Sequence, residues 1–267
     1  MRTLPALCVL GESMERVAPW VEQETYRMDL QYDGTDLHGW AKQQGRVTVQ
    51  GCLEEAFVTV LGRTPGLRVA GRTDAGVHAR QQVVSLRLPL DIDAARLIRS
   101  LNALTPPAIA VTSIVPAPGF DARRHALSRT YRYFVQLGGV DSPFCARYVW
   151  RVPPSVDVAL LRQAAAAVVG RHDFTAFTPT ETEHVFFDRL VMRCTWRRLG
   201  SERLFLEIEA EAFLRHMVRT LVGTMMEVGV GHRSAAAFER LLEGARREDA
   251  GPTAPARGLC LWDVRYS

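Results

Sequence analysis

Leu67-Arg68-Val69-Ala70-Gly71-Arg72-Thr73-Asp74-Ala75-Gly76-Val77-His78-Ala79 runs from one short apolar stretch towards another, Val83 to Leu88, and holds a single acid between two glycines. Glycine takes positive φ readily or lets another backbone approach, so Gly71 and Gly76 constrain the path of the chain on either side of Asp74. Thr73, Ala75 and Ala79 are small and leave room around the carboxylate. A G-x-x-D-x-G match alone is most simply an Asx-type turn between strands. Its neighbours decide whether the acid is there for chemistry.

Working outward, the turn lies between two strands, Leu67 to Ala70 and Val83 to Leu88, the second with Val84, Leu86 and Leu88 on one face. Before it, Tyr26 to Tyr32 alternates as a strand does and stops at Asp33-Gly34. From Thr48, an N-cap residue, Leu53, Phe57, Val60 and Leu61 recur at helical spacing until Gly62. After it, Asp93 to Ala103 reads as a helix and Ile109 to Val115 as a strand closed by Pro116. The order is β-α-β-β-α-β.

The same order recurs downstream. Thr130 to Leu137 is a strand, Val156 to Val169 an alanine-rich helix, Arg189 to Arg197 and Leu204 to Glu211 two strands. A long helix follows over Ala212 to Val228, then a shorter one over Ala235 to Leu242, and a last strand over Leu259 to Tyr266. The fold class expected is α+β: two ferredoxin-like β-α-β-β-α-β halves whose antiparallel sheets join, with a cleft near the seam. Joining two sheets removes two exposed edges. Pro116-Ala117-Pro118-Gly119 breaks both strand and helix and marks the boundary, giving an irregular extension at 1–24, a first half at 25–118 and a second at 119–267.

Composition narrows the function classes. The 267 residues are 47% apolar, enough for a sizeable core, and the net charge is +4, compatible with a polyanionic partner without requiring one. Lys42 is the single lysine among 33 basic residues, so the rest are arginine, either a codon bias or an arginine chemistry suited to phosphates and bases. Five scattered cysteines without a C-x-x-C pair read as reduced thiols of a cytoplasmic protein. Seven histidines without H-E-x-x-H or cysteine clustering offer no metal site. Leu4 to Leu10 is apolar, but Pro5 interrupts it and no small-x-small cleavage site follows, and no run reaches membrane-spanning length.

Three stretches bear on Asp74. In Ser128-Arg129-Thr130-Tyr131-Arg132-Tyr133, Arg129, Tyr131 and Tyr133 share one strand face. Aromatics interleaved with arginines suit nucleic acid, though an ordinary edge strand explains them too. The helix through Phe213-Leu214-Arg215-His216-Met217-Val218-Arg219 is apolar around most of its surface, hence buried. A buried Arg219 needs a carboxylate or an anionic ligand, and Asp74 is a candidate; Arg215 can instead reach solvent at the helix edge. Trp40, Lys42 and Arg46 form a basic aromatic loop that can equally be packed. His172-Asp173-Phe174 and His184 read as loop or capping residues, and Arg123-Arg124 as a solvated pair or a phosphate contact.

With these residues assembled, the chain resembles the TruA-type tRNA pseudouridine synthases. The resemblance spans roughly Tyr26 to Tyr266. It runs through Tyr32-Asp33-Gly34-Thr35, His38-Gly39-Trp40, Thr48-Val49-Gln50-Gly51, Gly71 to Ala79, Phe120-Asp121-Ala122-Arg123, Ser128 to Tyr133, Gly170-Arg171-His172-Asp173-Phe174, Phe213 to Arg219 and Gly258-Leu259. It implies Asp74 as the catalytic aspartate, Tyr131 as the residue stacking on the target uracil, Arg219 as the basic partner of the acid and Leu259 as an apolar neighbour of the base. Arg72, beside the acid, joins Tyr131, Arg219 and Leu259 as a substrate-binding candidate. It further implies isomerisation of uridines in the anticodon stem-loop of tRNA, no metal or organic cofactor, and a homodimer.

Some residues depart from the family pattern. The N-terminal extension is long, Ala41-Lys42 and Cys260 stand where other residues are common, and Pro179 to Phe187 fits no pattern. Two other classes stay open on the residues alone: a noncatalytic RNA-binding module, which has no need of a constrained carboxylate, and a nucleic-acid glycosidase, which ordinarily pairs two acids.

Overall fold

The computed structural model of the protein describes residues 22–140, 142–182 and 185–267. Most of the extension expected at 1–24 and the candidate His184 lie outside the described residues.

The first half opens with β1 (Gln23–Tyr32), whose alternate residues Tyr26, Met28, Leu30 and Tyr32 are buried. Helix α1 (Val49–Leu61) starts where Thr48 Oγ1 accepts from Gly51 N at 3.2 Å and stops at Gly62, left-handed at φ 73°. Then come β2 (Arg68–Val69) and β3 (His78–Pro89), followed by α2 (Ala94–Leu104), capped by Asp93, and β4 (Ile109–Pro116). Strand β3 begins five residues earlier than the apolar pattern from Val83 suggests. Its first residues are held by pairing with another strand rather than by their own alternation.

The second half comprises β5 (Ser128–Leu137), β6 (Trp150–Val152), α3 (Val158–Ala167), β7 (Gly170–Asp173), β8 (Asp188–Leu199) and β9 (Arg203–Ala210). It ends with α4 (Met217–Gly229), α5 (Ala235–Glu239) and β10 (Leu259–Arg265). The short β6 and β7 carry too little periodicity to be read from sequence. The long helix expected over Ala212 to Val228 begins only at Met217, because His216 has φ 61° and closes off any helical turn before it.

All ten strands among the described residues form one mostly antiparallel sheet, ordered β4-β1-β3-β10-β5-β9-β8-β7, with β2 on β3 and β6 on β5. In each half the first strand lies between the last and the last but one: β4-β1-β3 in one, β10-β5-β9 in the other. The halves meet where β3 runs parallel to β10, with Cys260 opposite His78 and Leu261 opposite Ala79. Strand β5 is therefore central, between β10 and β9, and not the edge strand its composition allowed. Helices α1 and α2 pack together, as do α3 and α4. Among the described residues no helix is long and apolar enough to cross a membrane.

Candidate active site

The β2–β3 turn is braced from the side by the loop between β1 and α1. Trp40 N donates to Thr73 O at 3.1 Å, Gly76 N donates to Leu37 O at 3.1 Å, and the Tyr32 and Thr73 hydroxyls bond at 2.8 Å. Gly76 adopts φ 77°, the left-handed conformation that glycine takes without steric cost. Gly71 does not; a Cβ there would lie 4.0 Å from the Tyr131 hydroxyl. Trp40 is 1% exposed and belongs to the core, whereas Lys42 to Val47, with both basic residues of the loop, are exposed. Below the turn, His78 Nε2 lies 3.1 Å from the carbonyls of both Arg147 and Arg257, tying the start of β3 to the second half.

So braced, Asp74 meets α4. Arg219 Nη1 donates to Asp74 Oδ2 at 3.2 Å while its Nε donates to Ala254 O at 2.8 Å, so the guanidinium is gripped from two directions. His216 Nε2 lies 3.5 Å from the same Oδ2. Burial drives the His216 pKa down; the Asp74 carboxylate pulls it up, and Arg219, Arg215 and Arg247 push it down, for a net lowering from 6.5. The imidazole is accordingly neutral at neutral pH.

Tyr131 comes from β5. Its ring packs edge-on against Phe213, centroids 5.0 Å apart at 87°. Burial, then the neighbouring Tyr32 and Asp74, raises its pKa well above 10.0, so its hydroxyl stays protonated. Leu259 and Leu261 of β10 pair with Tyr133 and Tyr131 of β5 and share their face, which puts Leu259, 5% exposed, in the same apolar wall.

The sequence has named relatives. A family model described as tRNA pseudouridine synthase matches residues 164–267. The protein called tRNA pseudouridine synthase A in Chlorobium chlorochromatii is 41% identical over 244 residues, 91% of this chain and 99% of its own length. Those of Frankia casuarinae and Myxococcus xanthus are 41% and 38% identical, over 90% of this chain and 88% and 91% of their own. The chain belongs to the tRNA pseudouridine synthase A family.

That family isomerises tRNA uridines to pseudouridine. In this synthase, Asp74, Arg219, Tyr131 and Leu259, from four separate elements, are gathered around the seam. Arg72 is not drawn in: it is exposed, and no hydrogen bond or ion pair among the described residues engages its side chain. Arg215 is exposed in the segment just before α4 and reaches solvent, the alternative its position allowed. His172 and Asp173 serve the local backbone, His172 Nε2 lying 3.2 Å from Val169 O and Asp173 Oδ1 accepting from Thr175 N at 2.8 Å. Among the described residues no three His, Cys, Asp or Glu side chains converge as metal ligands.

Two arginines of β5 differ from the nucleic-acid reading. Arg129 directs its donors to the carbonyls of Ala70, Arg123, Ala126 and Glu211. Arg132 pairs with Glu207 at 2.7 Å and lies between the Trp262 and Phe205 rings, 4.0 and 4.8 Å from their centroids. Both are spent inside the protein. Sequence reasoning gave no role to His216, because the apolar spacing of its neighbours continues straight through it and a left-handed backbone has no sequence signal outside glycine and asparagine.

Proposed function

We propose that this synthase isomerises uridines of the tRNA anticodon stem-loop, with Asp74 as the reacting carboxylate. The observation carrying this reading is the 3.2 Å Asp74–Arg219 contact, made between residues 145 apart in sequence, with Asp74 near enough to Tyr131 for its charge to raise the tyrosine pKa. Breaking the N-glycosidic bond and rejoining uracil through carbon needs a nucleophile or base beside the sugar, and a base taken out of its stack. One acid with a fixed guanidinium supplies the first. Tyr131 and Leu259, on one sheet face, offer the flipped base a stacking ring and an apolar contact. Arg72 is not drawn into this cluster; exposed two residues before the acid, it is left to meet an RNA phosphate.

The recurring strand order supports two ferredoxin-like units, 25–118 and 119–267, whose junction makes the cleft. The same reading carries a homodimer and action in the cytoplasm, where its tRNA substrate is found.

The test is Asp74→Asn. Pseudouridine mapping on a uridine-containing tRNA transcript should show complete loss of isomerisation with tRNA affinity kept. Modification persisting in the variant would overturn Asp74 as the reacting group, and wild-type protein that binds tRNA without forming pseudouridine would favour the noncatalytic RNA-binding class.

A further inference from the structure

His216 is the only non-glycine residue with positive φ among the described residues, at φ 61°. It also occupies the N-cap of α4, where serine, threonine, aspartate or asparagine would ordinarily accept a backbone N–H, and it makes no such bond. Its carbonyl does start the helix, accepting from Thr220 N at 2.9 Å. Glycine would take this backbone without strain, so histidine is here at a conformational cost. Strain of this kind persists when surrounding structure enforces it, and it concentrates at functional sites. What the strained backbone does is aim the imidazole at Asp74.

We propose that His216 is a positioning residue of the isomerase site: together with Arg219 it holds Asp74 Oδ2, so that Oδ1 is the oxygen presented to the nucleotide. This rests on the reading of Asp74 as the reacting carboxylate. Arg219 Nη1 and His216 Nε2 both address Oδ2, at 3.2 and 3.5 Å, and no hydrogen bond or ion pair among the described residues engages Oδ1. A carboxylate gripped at one oxygen keeps one orientation and one free lone-pair set. The His216 contact at 3.5 Å is longer than a formed N–H···O bond. Catalytic hydrogen bonds commonly shorten in the substrate complex.

The charge state of the imidazole matters because of what surrounds it. Asp74 faces it from the β2–β3 turn, Arg219 from α4, Arg215 from the segment before α4, and Arg247 from the 3₁₀ turn Arg247–Asp249. A neutral ring adds a donor without adding charge. A protonated ring adds a cation beside Arg219 on the same oxygen, which makes the carboxylate a weaker base and nucleophile. The rate should therefore fall as His216 protonates, below its ordinary 6.5.

The experiment uses full-length protein and a uridine-containing tRNA transcript, with His216→Gly and His216→Asn compared with wild type. Both replacements suit a left-handed backbone, and neither reaches Asp74 as the ring does. The expected result is a single-turnover rate lower on the order of tenfold to a hundredfold, tRNA affinity kept, and a thermal midpoint not below wild type. Over about pH 5 to 8, where imidazole titrates, the acid-side fall of the wild-type rate should be absent from both variants. Wild-type rates and profiles, or rates lost only in step with a lowered thermal midpoint, would overturn the proposal. The pairing is read separately by NMR titration of the His216 ring in wild type and Asp74→Asn, where loss of the carboxylate should move its midpoint down. An unmoved midpoint overturns the pairing whatever the activity shows, whereas isomerisation surviving in Asp74→Asn overturns the reading of Asp74 alone.

Discussion

Tyr131 shows how little of a residue's role its identity settles. Its hydroxyl has no hydrogen-bond partner among the described residues, while its ring meets Phe213 edge-on and lies near Asp74. Removing the hydroxyl breaks no bond; on the proposed stacking role, removing the ring forfeits about 1 to 3 kcal/mol per base. Tyr131→Phe should accordingly keep tRNA affinity, and Tyr131→Leu should lose part of it, as read by filter binding. Equal affinities for the two variants would contradict a stacking role. The tyrosine and its strand are legible in sequence, and so is the glycine-bracketed acid. The imidazole that shares Asp74 with Arg219 is not, because nothing in its neighbours announces a left-handed backbone.

At the scale of elements, the β2–β3 turn and the loop between β1 and α1 act as one unit. Gly39 has φ 86°, and a Cβ there would stand 2.7 Å from Thr73 O and 3.0 Å from the Asp74 carbonyl carbon. The clash is with backbone, which cannot rotate away. Gly39→Ala should destabilise the protein by about 2 kcal/mol or more, from the left-handed conformation and the forced shift together. Because the displaced atoms belong to the turn, isomerisation should fall further than urea denaturation alone explains, with tRNA affinity kept. A variant matching wild type in both measurements would show that the loop does not position Asp74. Sequence spacing leaves this loop either a basic aromatic surface or a packed one; that Trp40 is buried and bonded to Thr73 depends on a partner over thirty residues away.

Across the whole molecule, Arg129 joins parts that the chain keeps apart. It reaches Ala70 just before the turn, Arg123 and Ala126 in the connection between halves, and Glu211 after β9. Hydrogen bonds from a charged donor contribute more than neutral ones, and lysine lacks the planar fork to serve four carbonyls. Arg129→Lys should cost about 2 kcal/mol or more of stability. The same variant separates this role from a phosphate contact: the salt dependence of tRNA binding should keep its slope, whereas losing one phosphate contact would reduce it by about 0.9. A shallower slope without loss of stability would return Arg129 to the RNA-binding surface.

Local physics is enough to read the alternating strands, the capped helices, the recurring element order and the constrained Asp74 turn, since each depends on residues a few positions apart. From the same residues come the resemblance that names Asp74, Tyr131, Arg219 and Leu259. Where β3 meets β10, which arginines face inward and which nitrogen atoms hold the carboxylate depend on contacts between distant segments. There the competition is settled by burial: Arg129 and Arg132, which look outward-facing and nucleic-acid-like in a strand pattern, find carbonyls, a carboxylate and aromatic rings once β5 becomes central. The strained backbone of His216 goes with a contact between distant segments, its ring lying 3.5 Å from Asp74 on the β2–β3 turn.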